Sequence, residues 1–186
     1  MELRAAVPAD LDLLTDIDAT IESTQYLHLE HGGEGLAASF RLEPRTMREK
    51  LIASNPLDEE NRFFFRQVVT GADEGIALVM EHEGALVGSI LARVDHLQRV
   101  LRVLDVRVDY EYRRQGLGTA MIFNMIQRAR EMELRAVAME TRTNNFPANQ
   151  FLLKSSFDIA GVDTRRHSNH DIVKESATLF WYAALE

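Results

Sequence analysis

A mixed α/β fold, with a sheet partly antiparallel and partly parallel, is what this chain of 186 residues predicts. Two observations carry that expectation. "GIALVMEHEGALVGSILARVDH" (75–96) holds two strand-like runs that meet at Glu83-Gly84, a hairpin signal that demands antiparallel neighbours. "RVLDVRV" (102–108) then leads through an arginine- and glycine-rich turn into the strongly helical "MIFNMIQRAREMEL" (121–134) and on to the strand "RAVAMET" (135–141), a crossover of the kind that makes neighbours parallel.

Taken in order, "ELRAAV" reads as a short first strand. "PADLDLLTDIDATIES" reads as a helix, with proline near its first turn, acids early, and Leu11, Leu14, Ile17 and Ile21 at helical spacing. Region 24–62, with "HGGEG", "EPRTMREKLIAS" and "NPLDEEN", reads as loop, helix, loop. "RFFFRQVVT" fits either a strand or the end of a helix, because a short apolar run does not fix its period. After the hairpin come a strand over about 101–109 and a helix over about 116–133, in which Leu117, Met121, Met125, Ala129 and Met132 form a buried stripe. Then follow strand 135–141, polar "RTNN", helix "PANQFLLKSS" with Pro147 suited to its first turn, strand "FDIAGVDT" and a last strand "ATLFWYAAL". Alternate residues of "TLFWYA" could bury against a second copy, giving a homodimer, or against the chain's own core, the use favoured here.

Composition narrows the function. The chain is 46% hydrophobic and 27% charged, fitting one globular domain over 1–186. It has no cysteine, so disulfides, thiolate metal sites and a cysteine nucleophile are excluded. Neither a leader pattern nor an apolar stretch near the ~20 residues of a membrane span occurs, which reads as cytoplasmic with no membrane partner. A net charge of −8 argues against nucleic acid as partner and suits a cationic small molecule.

The stretch "YRRQGLGTA" (112–120) carries the chemistry. A Gly-x-Gly turn between strand and helix lets the backbone approach a ligand, and the first helical turn offers unpaired N–H groups with the positive end of a dipole. That is an anion site, to which Arg113 and Arg114 could add charge. No G-x-x-x-x-G-K-[ST] is present and "GLGTAM" lacks the third glycine of a dinucleotide fingerprint.

What remains is R-x-x-G-x-G, at Arg113, Gly116 and Gly118, which resembles the pyrophosphate signature of the GNAT acetyltransferase superfamily. Asn145, Ala148 and Phe157 match the N-x-x-A helix and closing aromatic of that superfamily, and the likeness covers about residues 76–184. Within it, "METRTNN", "IAGVDT" and "ATLFWY" look like streptothricin acetyltransferases. The resemblance implies a largely antiparallel central sheet flanked by helices, with a bulged, splayed strand whose backbone at Val106, Arg107 and Val108 meets the pantetheine arm and thioester of acetyl-CoA, the co-substrate. It puts the pyrophosphate over Arg113, Arg114, Gln115, Gly116, Leu117 and Gly118, with Thr119 continuing the helix start and Asn145 at the coenzyme arm.

The acceptor implied is a small-molecule amine, streptothricin-like and cationic, acetylated by direct attack in a ternary complex. A carboxylate must take the amine's proton, and Asp105 and Glu140 are the candidates. Relatives commonly carry a tyrosine acid where this chain has Leu152, and a glycine where it has Ser156; Tyr110, Tyr112 and Tyr182 are replacements for the missing acid. Leu152 keeps open a non-catalytic acyl-CoA sensor, and an acetyltransferase for protein lysines or N-termini is the other alternative. His28 with His31, and His167 with His170, are spaced three apart like helical metal ligands, but no third ligand accompanies them and no metal site is expected. Glu22, Tyr26, Glu30, Asp163, His167, Asn169 and Asp171 are candidates for the acceptor pocket.

Overall fold

The computed structural model describes residues 1–185; residue 186, the last of the expected single domain, lies outside the described part. The elements in chain order are β1 (Glu2–Ala5), α1 (Asp10–Leu13), β2 (Ile21–Gly32), β3 (Ser39–Ala53), α2 (Glu59–Val69), β4 (Gly75–His82) and β5 (Ala85–Asp95). They continue with β6 (Val100–Val108), α3 (Leu117–Glu131), β7 (Ala136–Arg142), α4 (Phe146–Lys154), β8 (Asp158–Asp163) and β9 (Thr178–Ala184). Two compact units emerge: residues 1–20, 54–138 and 184–185 form the first, and residues 21–53 and 139–183 the second.

In the first unit the strand order is β1-β4-β5-β6-β7, antiparallel except between β6 and β7. The expected hairpin forms at Glu83 and Gly84, whose φ values of 50° and 82° are those of a two-residue turn matched to strand twist. β4 and β5 are buried on both faces, which is why they read as near-continuous apolar runs. On one face Leu11, Leu14, Ile17, Phe64, Phe65, Val79 and Leu91 form a core; on α3, Leu117, Met121, Ile122, Met125 and Ala129 are buried as the helical stripe requires.

In the second unit β2 and β3 form a long antiparallel hairpin, and β9 lies between β7 and β8. Leu179, Trp181 and Ala183 of β9 are buried within the chain itself, the core use expected of that strand. No helix among the described residues is long and apolar enough to cross a membrane.

Two expectations need correction. The early helix is only Asp10–Leu13 with a 3-10 turn at Leu14–Asp16; Leu11, Leu14 and Ile17 are buried as its spacing demanded, but Ile21 begins β2. "EPRTMREKLIAS" is not a helix but part of β3, because pairing with β2 overrides the helix propensity of its Met, Arg, Glu and Lys residues. "HGGEG" is the connection of that hairpin: Gly33 has φ 75°, and a Cβ there would lie 2.0 Å from the Ala37 carbonyl oxygen. The ambiguous "RFFFRQVVT" is helix α2, fixed by Asp58, whose carboxylate accepts the Asn61 N–H at 2.8 Å as an N-cap.

One ion pair anchors the start of the chain. Asp10 is 2% exposed and takes two hydrogen bonds from the Arg4 guanidinium, at 2.8 and 2.9 Å, plus the Val7 N–H at 2.8 Å. The Arg4 bond, against the opposing effect of burial, holds the Asp10 carboxyl below its usual range. Asp10→Asn should destabilise the protein by about 1–3 kcal/mol at neutral pH, the scale of a charged hydrogen-bonded pair, since the partly exposed Arg4 keeps Glu81 as a partner. Because the folded carboxyl titrates below the unfolded value of about 3.9, this contribution is complete above that value and is lost as pH falls through the folded one. Urea unfolding of both proteins should therefore show a gap that is constant near pH 6–7 and narrows below about pH 4; a gap that does not change with pH would contradict the assignment.

Candidate functional site

β6 is the strand around which the first unit's polar groups gather. Its pairing with β5 runs Val100 to Val103 against Asp95 to Ala92, and resumes at Asp105 opposite Leu91, leaving Leu104 as an extra residue. This is a β-bulge, which bends the strand and turns its following side chains. The parallel ladder with β7 covers only Val100, Leu101 and Arg102 against Ala136, Val137 and Ala138. From Val103 onward β6 is laddered on its β5 side alone among the described pairings. The strand thus has its bulge at Leu104, and Val106, Arg107 and Val108 follow it where no β7 ladder occurs among the described pairings.

Beyond the bulge, Asp105 and Arg107 share the strand face of Leu91 and Ser89, their partners on β5. Arg107 grips Asp105 with two bonds, Nε to Oδ2 at 2.8 Å and Nη2 to Oδ1 at 2.7 Å, while its Nη1 donates to the Asn55 carbonyl at 3.2 Å. The arginine side chain is only 3% exposed and the aspartate 14%. Each carboxylate oxygen gives one lone-pair direction to Arg107 and keeps another, so Asp105 is oriented yet still able to accept a proton or an ammonium hydrogen.

The strand ends at Val108 and the chain enters a 3-10 turn, Tyr110–Tyr112, capped by the Asp109 carboxylate. Arg113, expected at a phosphate, has its side chain on the loop: Nη1 donates to the Thr20 carbonyl at 2.7 Å and Nε to the Val108 carbonyl at 3.2 Å, over the Tyr110 ring. Arg114 and Gln115 are exposed. Arg114 and Gly116 both take left-handed backbone, φ 59° and 85°. Gly116 is the residue before α3, and the first bond of the helix runs from the Ala120 N–H to the Gly116 carbonyl at 2.9 Å. The N–H groups of Leu117, Gly118 and Thr119 are therefore left without helical acceptors, at the positive end of a helix of 15 residues. A cradle of that kind suits a phosphate.

In the second unit, Asn145 caps α4 by accepting the Ala148 N–H at 3.3 Å. Glu140 on β7 receives Arg166 Nη2 on both oxygens, at 3.1 and 3.2 Å, with both side chains more than a third exposed. Leu152 is 1% exposed and packed in the core. Ser156 has φ 66°, the left-handed conformation that explains why a glycine is the easier residue there.

Among the pocket candidates, Asp171 is buried and organises its own loop, accepting the His167 N–H at 2.9 Å and the Ser168 hydroxyl at 2.7 Å, bonds that keep its carboxyl below the usual range. Asp163 likewise accepts a local N–H, that of Arg165. Glu22 pairs with Lys50, and Glu30 is exposed. Because β2 is a strand, His28 and His31 lie on opposite faces rather than on one helical face; His31 stacks on Phe40. His167, Asn169 and His170 stand in the segment between β8 and β9.

Sequence reasoning missed a buried chain of polar groups. The Trp181 Nε1–H donates to Thr141 Oγ1 at 2.7 Å, the Thr141 hydroxyl to Asn149 Oδ1, and Asn149 Nδ2 to the Arg142 carbonyl at 3.0 Å. Arg107 was also expected to act by its backbone, whereas its side chain is the main partner of Asp105. The i, i+2 placement of Asp105 and Arg107 on a strand was the signal available for that pair.

Residues 39–157, well over half of the sequence, match the model of the acetyltransferase (GNAT) family. The chain belongs to the GNAT family. The family is one of acetyltransferases. Streptothricin acetyltransferase A of Bacillus subtilis (strain 168) is 37% identical over 78 residues, covering 42% of this chain and 44% of that protein. The matched stretch thus spans less than half of that relative. Streptothricin acetyltransferase of Escherichia coli is 24% identical over 146 residues, 77% of this chain and 75% of the other. The crystal structure of nourseothricin acetyltransferase superposes with a TM-score of 0.80 at 21% identity, covering 100% of this chain and 98% of that one. At that identity the superposition shows the fold, a mixed α/β sheet, mostly antiparallel and flanked by helices.

Gly116→Ala tests the loop of this GNAT chain directly. No atom lies within 4 Å of the added Cβ, so the cost should be backbone strain alone, about 1–2 kcal/mol of stability. Denaturant midpoints measure it; an unchanged midpoint would mean that the left-handed turn is not held.

Proposed function

We propose that the chain transfers the acetyl group of acetyl-CoA to a primary amine of a small cationic acceptor, of the streptothricin kind, by direct attack in a ternary complex. Residues 1–186 act in this reading as one acetyltransferase domain in the cytoplasm. The observation that carries it is the start of α3, where Gly116 turns the backbone and leaves three N–H groups open after a bulged strand whose described pairings beyond Arg102 run on its β5 side. Likeness to the two streptothricin acetyltransferases supports the acceptor class.

Acetyl-CoA, when bound, supplies a thioester carbonyl. Its pyrophosphate suits the N–H groups at Leu117, Gly118 and Thr119, with the exposed Arg114 adding charge and Gln115 and Gly116 shaping the turn. Backbone N–H groups of β6 at Val106, Arg107 and Val108 are the candidates for the pantetheine arm and the carbonyl oxygen, where each donor would be worth about 3 kcal/mol in the transition state. The acceptor must lose a proton to expose its lone pair. Asp105, on β6 beside the backbone groups proposed for the thioester, is the base favoured here, ahead of Glu140; each carboxylate has an arginine on both oxygens, Arg107 on Asp105 and Arg166 on Glu140. Asn145 has its side chain in a helix cap, so any contact with the coenzyme arm is made by its remaining lone pairs or its Nδ2.

Leu152 favours a second reading. An apolar residue buried at the place of the usual acid cannot protonate the thiolate, as an acyl-CoA sensor without turnover would not need to. Calorimetry with acetyl-CoA, followed by thiol release on adding streptothricin, polyamines and peptides, separates the cases. Binding with release from the cationic small molecules supports the enzyme, release from peptides alone supports a protein acetyltransferase, and binding without release supports the sensor. Gly116→Val with Gly118→Val should weaken acetyl-CoA binding at least about tenfold, roughly 1.4 kcal/mol; undiminished binding rules out the assigned loop. Asp105→Asn should lower kcat by about 100-fold or more while the acetyl-CoA Kd stays the same. If Glu140→Gln does that and Asp105→Asn does not, the base has been assigned to the wrong strand.

A further inference from the structure

We propose that Arg107 is a positioning residue: its guanidinium fixes the Asp105 carboxylate in one orientation and ties it to the segment that leads into α2. This rests on the reading of Asp105 as the base of an acetyltransferase.

All the groups that Arg107 joins lie in the first unit. Each nitrogen of its guanidinium has an acceptor: Nε and Nη2 bond the two oxygens of Asp105, at 2.8 and 2.7 Å, and Nη1 bonds the Asn55 carbonyl at 3.2 Å. A planar group bonded at three corners cannot turn, and a carboxylate gripped at two points cannot swing away from it. The lone pairs of Asp105 that Arg107 does not use therefore have one direction. Glu140 is held differently. Only Nη2 of Arg166 reaches its two oxygens, and both side chains are more than a third exposed. A contact through one nitrogen at the surface leaves both side chains free to move.

The third bond of Arg107 is anchored in turn. Asn55 belongs to the link between β3 and α2, which its next residues hold in place. Leu57 packs against the core that contains Leu11, Leu14, Phe64 and Phe65, and Asp58 caps α2 through the N–H and the Nδ2 of Asn61, both at 2.8 Å. Arg107 thus relays the seating of α2 to Asp105, across 52 positions of sequence from Asn55.

Stability gives little reason to keep this pair buried. An apolar pair of similar volume commonly serves a fold as well or better, whereas a base needs its lone pair aimed within a narrow range. Lysine in place of Arg107 would supply the charge without the fork.

The test combines rates with NMR on the full chain. In the wild type, three-bond couplings from the Asp105 carboxyl carbon to its own backbone nitrogen and carbonyl carbon should be those of one χ1 rotamer, and Arg107→Lys should average them. With streptothricin as acceptor, Arg107→Lys should lower kcat by about tenfold or more. Its acetyl-CoA Kd should stay unchanged, because the backbone N–H of position 107 remains. Adding Arg107→Lys to Asp105→Asn should lower kcat no further, within about twofold, since a residue that acts through Asp105 has nothing left to position. A residue needed only for folding would lower kcat by the same factor in both backgrounds. Rotamer averaging already in the wild type overturns the proposal without any variant. So does an Arg107→Lys protein that keeps the rotamer or the rate, or one whose full loss persists beside Asp105→Asn. A wild type that releases no thiol, with Asp105 couplings that follow Arg107, supports the grip on Asp105 while refuting the acetyltransferase reading.

Discussion

One residue too many in a strand governs the first unit. Leu104 has no partner on β5, and beyond it the described pairings of β6 run on its β5 side. A strand with full ladders on both edges would have no free backbone donors to offer a ligand. The bulge also decides which way Asp105 and Arg107 point, toward the face of Leu91 and Ser89. The same strand runs into the Gly116 turn, so the backbone donors of β6 and the open N–H groups of α3 are fixed relative to one another by a single continuous segment of eight residues after Val108. Few degrees of freedom remain to be ordered when an elongated ligand arrives, which is where preorganisation helps binding most.

Charge in this acidic chain is arranged rather than merely abundant. Asp10 with Arg4 and Asp105 with Arg107 are paired at burial depths where an isolated carboxylate would be costly. The exposed pair of Glu140 and Arg166 is worth far less energetically, and is the easier one for a ligand to open.

Departures from the family pattern have local physical consequences. Leu152 is not a hole where a tyrosine was lost but a packed core residue, 1% exposed, so restoring a tyrosine would overfill its site. Ser156 keeps the left-handed turn with a side chain that disfavours it, at a cost of order 1 kcal/mol. Arg113 spends its donors on carbonyls at Thr20 and Val108, holding the loop in shape. The signature R-x-x-G-x-G is thus in this chain partly a folding signal and partly a ligand signal.

The sequence by itself determined the elements whose cause is local. Glu83-Gly84 can make a tight turn, the 3.6-residue stripe of α3 must be buried, and Gly116 before a helix must open its N–H groups; each of these appears as read. So did the sheet of mixed direction and the order of strands and helices from residue 75 onward. Tertiary structure alone decided the rest. The β2–β3 hairpin was hidden because residues such as Arg48, Glu49 and Lys50 suit a helix, and only their pairing across to β2 makes them a strand. The bond from Arg107 to the Asn55 carbonyl joins residues more than 50 positions apart and the approach of His28 to Glu175 residues nearly 150 apart, distances in sequence across which no periodicity carries information.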